Sequence, residues 1–265
     1  MEPNFKLSTG SYKVFKFPSG ELQVQLTEAP STAYSLTIIG SILSSDNLME
    51  LLQLRSILTK QDYKDTTLVM PYCAYSRQDR ICNKGESLSI KIFCNLINSL
   101  EFTKVYTYDN HSDVSTALIN NCINIHVKDI LKDLNLSKYN YFISPDAGAN
   151  KKVFECSKEF KIPMLRADKT RDVSTGKILE TVIYAKAEQL ENSTVLIIDD
   201  ICQGGKTFEE LSKAIKALAP TCTIHLYTTH GFYSNGLDSL RSAGINKFIT
   251  TDSVYTLKEK DVLLC

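Results

Sequence analysis

Two adjacent carboxylates and a glycine-rich turn stand between an apolar run and a helical pattern. Residues 195–198 are apolar, and Asp199 and Asp200 follow them. The turn that leads into the helix contains Gln203, Gly204, Gly205, Lys206 and Thr207. Backbone N–H groups of such a turn, with the N-terminus of the following helix, bind anions such as phosphate. Because carboxylates repel phosphate, the two acids suit sugar hydroxyls or a cation, and the stretch predicts a site for phosphate plus ribose.

Two other interpretations of this turn are weaker. Gly205-Lys206-Thr207 resembles the end of a P-loop, which requires a glycine five positions before its Gly-Lys pair, and Asp200 occupies that position. A nucleoside triphosphatase of the Walker type is therefore disfavoured. An ordinary strand-to-helix turn would explain the glycines, but it gives no packing reason for two acids after a buried strand.

Composition sets limits on the kind of protein. The chain has 265 residues, 43% of them hydrophobic, and its 30 basic and 30 acidic side chains cancel. A globular protein is expected, and no overall field attracts nucleic acid or an anionic membrane. No apolar run is long enough to span a membrane, and no signal peptide precedes the first strand, so we expect a cytoplasmic protein. The 8 dispersed cysteines predict neither a zinc site nor disulfides. Cys202 is expected to pack beneath the turn.

Strand and helix patterns alternate along the chain. Apolar or β-rich runs lie at residues 36–40, 66–70, 104–108, 141–144, 195–198, 223–228 and 247–250. Between them are a helix after a possible Asp46 cap, an apolar stripe of Leu88, Ile92, Leu96 and Leu100, and another of Val153, Cys156 and Phe160. This alternation predicts an α/β fold with parallel sheets. The rhythm restarts after the polar stretch at 131–138, so two doubly wound domains are expected, at 1–133 and 134–265.

Three predicted strands end in acidic residues. Asp109 with His111 follows one strand, Asp146 follows a second, and the Asp199-Asp200 pair follows a third. Ligands of open α/β sheets bind where strands end, so these groups are expected to face one cleft. Isolated carboxylates suit Mg²⁺, which keeps several waters. A lone histidine after a strand is more often structural than functional, and His111 is weaker evidence.

Two basic stretches suit a nucleotide. The segment at 71–80 contains Arg77 and Gln78 between tyrosines, so that a guanidinium can bind phosphate or stack on a base and an amide can meet a base edge. A solvated loop with local ion pairs is the alternative. Lys169 and Arg171 precede a Ser-Thr-Gly run and are predicted to lie in a flexible loop. Mobile cations of this kind stabilise a phosphoryl group during transfer.

Six motifs in order resemble the ribose-phosphate pyrophosphokinase family, whose members synthesise phosphoribosyl diphosphate (PRPP). They are Phe17-Pro-Ser-Gly-Glu21, Tyr75-Ser-Arg-Gln-Asp-Arg80, Asp109-Asn-His111, Ser144-Pro-Asp146 with Gly148, Asp168-Lys-Thr-Arg171, and Asp199-Asp200 through Thr207. The resemblance implies two type I phosphoribosyltransferase-like domains. It also implies transfer of the β,γ-diphosphoryl group of Mg-ATP to the anomeric hydroxyl of ribose 5-phosphate, giving PRPP and AMP.

The resemblance assigns roles to individual residues. Lys169 and Arg171 would be catalytic, and His111 and Asp146 would bind Mg²⁺. The ATP-binding residues would be Phe17, Ser19, Glu21, Arg77, Gln78 and His111. The ribose phosphate would be held by Asp199, Asp200, Gln203, Gly204, Gly205, Lys206 and Thr207. Since the loop containing Ser19 and Glu21 reaches adenine across a subunit interface in the family, a homo-oligomer, a dimer or larger, is implied.

One departure from the family pattern opens an alternative acceptor. The family's phosphate loop reads Asp-Thr-Ala/Gly-Gly-Thr, whereas this chain has Gln203 and Lys206 and is more positive there. A more anionic acceptor such as ADP-ribose would then give ADP-ribose 1-diphosphate, for NAD salvage. A type I phosphoribosyltransferase, which consumes PRPP, shares the acidic turn but does not need Arg77, Gln78 or Lys169. A non-catalytic regulatory subunit is disfavoured because Lys169 and Arg171 are both present.

Overall fold

The computed structural model describes residues 1–31, 35–59, 63, 65–171, 178–254 and 262–265, with the backbone alone at 169–171 and 178–180. It contains two compact units, Met1–His126 and Val127–Cys265. Among the described residues, no helix combines the length and the apolar character needed to cross a membrane.

Unit 1 is built around a five-stranded sheet. Its strands and helices are β1 (Lys6–Leu7), β2 (Ser11–Lys16), β3 (Leu22–Glu28), β4 (Ser35–Ile39), α1 (Ser45–Thr59), β5 (Asp65–Val69), α2 (Ser89–Asn98), β6 (Lys104–Tyr108), α3 (Asp113–Leu118) and β7 (Cys122–Ile125). The sheet order is β1-β4-β5-β6-β7, and β2 and β3 form a separate antiparallel hairpin. All neighbours in the large sheet are parallel except β1 and β4.

The buried face of α2 differs from the predicted stripe. Ile92 is 58% exposed and Leu96 36% exposed, so these two residues do not face the core. The residues that pack there are also at helical spacing: Ile90, Phe93, Cys94 and Ile97. This helix is apolar around much of its circumference, and the spacing alone therefore could not say which of two stripes meets the sheet.

Unit 2 contains a seven-stranded sheet. Its elements are α4 (Val127–Ile130), a short 3₁₀ helix (Leu131–Asp133), β8 (Tyr141–Ser144), α5 (Asn150–Phe160), β9 (Met164–Arg171), β10 (Ile178–Ile183), α6 (Ala187–Leu190), β11 (Thr194–Cys202), α7 (Lys206–Leu218), β12 (Thr223–Gly231), α8 (Asp238–Ser242), β13 (Ile245–Thr250) and β14 (Val262–Leu264). The order is β10-β9-β8-β11-β12-β13-β14, and only the β9–β10 pair among these described strands is antiparallel.

The predicted α/β class with mainly parallel sheets is confirmed. Each of the seven predicted strand runs coincides with a strand of the structure, except that β4 and β5 end one residue before the predicted ends at Gly40 and Met70. Central strands of the sheet in unit 2 are apolar on both faces, as in β11, where residues 195–198 are fully buried. Asp46 lies in the first turn of α1, which begins at Ser45, rather than at the cap position.

Candidate functional site

The glycine turn of unit 2 connects β11 to α7. Gly205 has a φ of +83° and is the N-cap residue of α7, a left-handed conformation that glycine adopts without steric cost. The turn is fixed by the neighbouring segment after β12, because the Ser234 N–H donates to the Gln203 carbonyl at 2.9 Å and Asn235 Nδ2 donates to the Gly204 carbonyl at 3.2 Å. Backbone N–H groups at the start of this 13-residue helix face a position suited to an anion.

Asp199 and Asp200 lie inside the last part of β11 rather than after it. The strand continues to Cys202 and stays paired with β12, whereas its pairing with β8 ends at Ile197. Asp199 therefore has a strand neighbour on one side only, and the acids lie at the carboxyl edge of the sheet. This extension of the strand corrects the expectation that the pair follows it.

Charges at this edge act on one another. Burial raises the pKa of Asp199 well above its ordinary value, Asp200 raises the pKa further, and Asp146 adds to this effect. Lys152 opposes these effects, and its ammonium lies 3.6 Å from the Asp200 carboxylate. The structure thus brings three predicted site carboxylates within electrostatic reach of one another and adds a cation to them.

Asp146 follows β8 and begins the approach to α5. The Ala149 N–H donates to Asp146 Oδ1 at 3.2 Å, and the Ser144 hydroxyl donates to the Asp146 carbonyl at 2.9 Å. Mg²⁺ is held in proteins by one or two carboxylates together with waters and substrate phosphates. The Asp146 carboxylate is half-buried and offers oxygen ligands, so it fits an open Mg²⁺ site of that kind. Among the described residues, no group of three or more His, Cys, Asp or Glu side chains is placed to hold a metal ion.

Lys206 is engaged on the surface of α7. Its ammonium lies 2.6 Å from Glu210 and 3.3 Å from Glu209, one helical turn further on, and the hydrogen bond to Glu210 is the main cause of its raised pKa. Lys213 pairs with the same two glutamates. The positive charge that the sequence adds to the turn is therefore neutralised locally by two carboxylates.

Lys169 and Arg171 lie in a strand. The prediction that they belong to a flexible loop is therefore wrong, because their backbone is part of a β-sheet. Both belong to β9, and β10 pairs with it in the register Thr181 to Lys169 and Ile178 to Arg171. The Ser-Thr-Gly run that suggested a loop lies outside the described residues, as do both side chains. The antiparallel partner strand, β10, pairs with β9 along this segment.

In unit 1, Phe17, Ser19 and Glu21 form the tip of the β2–β3 hairpin. The Phe17 N–H donates to the Glu21 carbonyl and the Gly20 N–H donates to the Phe17 carbonyl, and Gly20 has a φ of +93°. The Ser19 hydroxyl donates to Glu21 Oε2 at 2.8 Å. Phe17 is 48% exposed and stacks edge-on against Phe15. All three predicted site residues are therefore presented to solvent at one end of the hairpin.

Arg77 and Gln78 lie in the turn that follows β5. Tyr75 has a φ of +61°, and its carbonyl accepts a hydrogen bond from the Gln78 N–H at 2.9 Å. The segment is anchored beneath by Ser76 and Cys73, which are buried, while the side chains of Arg77 and Gln78 are exposed. The turn thus presents a guanidinium and an amide from a fixed backbone.

His111 follows β6 and is exposed, next to a buried polar pair. Asp109 is buried with a φ of +42°, and its N–H donates to the Ile125 carbonyl. Asn110 is buried as well, and its Nδ2 donates to the Thr107 and Thr116 hydroxyls. His111 and Asp146 belong to different units, and each is positioned by the sheet of its own unit.

Lys152 is the residue of this edge that the sequence analysis missed. It lies in the first turn of α5, the helix predicted from Val153, Cys156 and Phe160. The sequence feature that could have identified Lys152 is its position at the start of the helix that follows Asp146.

Cys202 is fully buried in the core, as predicted, and burial together with Asp199 raises the pKa of its thiol to about 12. Its thiolate is therefore scarce at neutral pH.

Comparisons with known proteins agree with this architecture. Residues 2–100 match the family model of the N-terminal domain of ribose phosphate pyrophosphokinase, and residues 115–242 match that of the phosphoribosyl transferase domain. Ribose-phosphate pyrophosphokinase 2 of Archaeoglobus fulgidus is 28% identical over 240 residues, which are 90% of this chain and 83% of the relative. The ribose-phosphate pyrophosphokinase of Sulfolobus acidocaldarius is 27% identical over 242 residues, covering 90% of this chain and 82% of the relative.

A solved structure shows the same fold. The crystal structure of phosphoribosylpyrophosphate synthetase from Mycobacterium smegmatis superposes with a TM-score of 0.80 at 17% sequence identity. The match covers 97% of this chain and 86% of that one. The chain therefore shares the fold of that protein over nearly its whole length.

Proposed function

The chain belongs to the ribose-phosphate pyrophosphokinase family, and on that premise we propose that it transfers the β,γ-diphosphoryl group of Mg-ATP to the anomeric hydroxyl of ribose 5-phosphate. The anomeric oxygen forms a bond to the β-phosphorus, the bond from that phosphorus to the α,β-bridging oxygen breaks, and the hydroxyl proton is released. The products are PRPP and AMP. Such a transfer depends mainly on positioning and on stabilisation of charge.

The observation that carries this proposal is that a glycine turn at a helix N-terminus and two aspartates lie together at the carboxyl edge of β11. The turn at Gly204 and Gly205 supplies N–H groups for the 5-phosphate at the N-terminus of α7, and Asp199 and Asp200 supply acceptors for the ribose hydroxyls. Thr207, in the first turn of α7, would donate a further hydrogen bond to the phosphate. A phosphate site and a sugar site on consecutive residues match one molecule of ribose phosphate.

The ATP side is assigned to unit 1. Arg77 and Gln78 are exposed on a fixed turn, where a guanidinium suits phosphate or a base face and an amide suits a base edge. The hairpin tip at Phe17, Ser19 and Glu21 would meet adenine from a second copy of the chain. The proposal therefore includes a homo-oligomer, which size-exclusion chromatography with light scattering tests.

Charge at the transferring group would come from Lys169, Arg171 and the metal. The residues that the resemblance assigns to Mg²⁺ are Asp146 in unit 2 and His111 in unit 1, and Mg²⁺ would neutralise the negative charge of the diphosphoryl oxygens. Lys169 and Arg171 belong to a strand of unit 2, the unit that carries the proposed acceptor site. Their cations would stabilise charge that develops on the transferred group and on the leaving AMP.

ADP-ribose is the second candidate acceptor, and Gln203 with Lys206 is the observation in its favour. The ion pairs of Lys206 with Glu210 and Glu209 weaken this case, because the added charge is already neutralised. Ribose 5-phosphate therefore remains the leading acceptor.

A direct assay distinguishes these functions. The enzyme is incubated with Mg-ATP and either ribose 5-phosphate or ADP-ribose, and AMP release is measured by liquid chromatography, with each acceptor omitted as control. AMP that depends on ribose 5-phosphate supports the leading proposal, whereas turnover with ADP-ribose alone supports the second. A type I phosphoribosyltransferase would form no AMP from ATP and would instead consume PRPP with a base.

A further inference from the structure

Lys152 is a buried ammonium at the edge of the sheet in unit 2. It lies on the first turn of α5, its side chain is 18% exposed, and its Nζ atom is shielded from solvent. The next residue towards the N-terminus, Lys151, is exposed. Burial of an ammonium is unfavourable unless a partner charge compensates it, so the position of Lys152 requires a reason.

The compensating charge is Asp200. Lys152 Nζ lies 3.6 Å from Asp200 Oδ1, and the Asp200 side chain is only 8% exposed. Electrostatic interactions over such distances are screened less at a buried edge than in open solvent. The ammonium therefore fixes the orientation of a carboxylate that β11 presents at its end.

Asp199 is affected by the same charge. Its carboxyl is influenced by Asp200 and Asp146, which disfavour its ionised form, and by Lys152, which favours it. An ionised carboxylate accepts hydrogen bonds at both oxygens, whereas a protonated one loses part of that capacity. The hydroxyl groups of a ribose need such acceptors, and the Lys152 ammonium acts electrostatically on both aspartates.

We propose that Lys152 is a positioning residue for the acceptor, holding the Asp199-Asp200 pair in the orientation that binds the ribose hydroxyls. This inference rests on the proposed function of the same edge. It predicts an effect on the acceptor rather than on ATP, because ATP is assigned to unit 1.

The test compares Lys152→Met with Lys151→Met, which removes the adjacent exposed ammonium. Steady-state KM values for ribose 5-phosphate and for ATP are measured with kcat, at saturating Mg²⁺. Lys152→Met is expected to raise the KM for ribose 5-phosphate by about tenfold or more while the KM for ATP stays within about twofold. Lys152→Arg, which restores the cation, is expected to recover most of the acceptor affinity. Lys151→Met is expected to behave as wild type.

An unchanged acceptor KM in Lys152→Met overturns the proposal. So do equal increases in both KM values that Lys152→Arg does not reverse, since these indicate a general structural role. If Lys152→Met does not fold, Lys152→Gln is measured by the same criteria, and loss of the fold in both variants also assigns the residue to structure alone. A wild-type enzyme that releases no AMP with ribose 5-phosphate refutes the proposed function itself, which is a separate result.

Discussion

Replacement of Gly205 by alanine tests how the anion-binding turn is built. Gly205 has a φ of +83°, and a left-handed conformation costs a residue with a Cβ about 1–2 kcal/mol. The added Cβ would also lie 3.1 Å from both Cδ atoms of Leu240, a side chain that is 1% exposed and packed into the core. Because this side chain cannot move into solvent, overpacking adds about 1–2 kcal/mol.

The matched control is Gly236→Ala in the same unit. Gly236 has a φ of +73°, but a Cβ there meets nothing within 4 Å. The control therefore carries the backbone cost alone, about 1–2 kcal/mol, whereas Gly205→Ala is expected to lose about 2–4 kcal/mol of unfolding free energy. The difference between the two variants isolates the contact with Leu240.

Urea denaturation followed by far-ultraviolet circular dichroism measures both losses. We also expect Gly205→Ala to raise the KM for ribose 5-phosphate, because the N–H groups of the turn would shift from their positions. Equal losses of stability in the two variants would show that Leu240 is not strained by the Cβ. An unchanged stability of Gly205→Ala would refute the assignment of the turn conformation itself.

Three further predictions concern other parts of the molecule. Lys169→Ala is expected to lower kcat at least about a hundredfold with the KM for ATP nearly unchanged, and an unaltered kcat would contradict its proposed role. Burial lowers the pKa of His225 from 6.5 to about 4, so the unfolded chain binds the proton first as pH falls. Stability is then complete above pH 6.5 and decreases towards pH 4 by on the order of 2 kcal/mol, and His225→Gln is expected to reduce this decrease in urea titrations. Glu50→Leu leaves the Tyr12 hydroxyl and the Asn4 N–H without their buried carboxylate partner, so thermal unfolding is expected to reveal a loss of about 2 kcal/mol, with a smaller loss in Tyr12→Phe.

Local patterns in the sequence were sufficient for most of the fold. The fully apolar run at 195–198 predicts a strand buried on both faces, and the helical spacing of Phe208, Leu211 and Ile215 predicts the helix behind it. These signals depend on neighbours in the chain, and parallel strands need helices between them. The order of strands and helices along the chain, and therefore the sheet edge at which Asp146 and Asp199 lie, follows from the sequence pattern.

The β2–β3 hairpin and the β9–β10 pair were not predicted. In β2, exposed Ser11 and Lys13 alternate with buried Tyr12 and Val14. Such strands are stabilised by a partner strand rather than by burial on both faces. A pattern that looks like a loop in isolation therefore becomes a strand once its partner is present.

The sequence by itself determined the chemistry available at the acceptor edge: two aspartates, a turn that only glycine adopts without strain, and a helix N-terminus behind it. Only the tertiary structure decided which charges meet there. Lys152 of α5 pairs with Asp200 of β11, so a buried cation lies beside the acids. Lys206, in contrast, pairs with Glu209 and Glu210 of its own helix at a spacing that the sequence already contains. Residue types and spacing fix local conformation and pairs within a helix, but a charge pair between two elements depends on a distance that packing alone brings about.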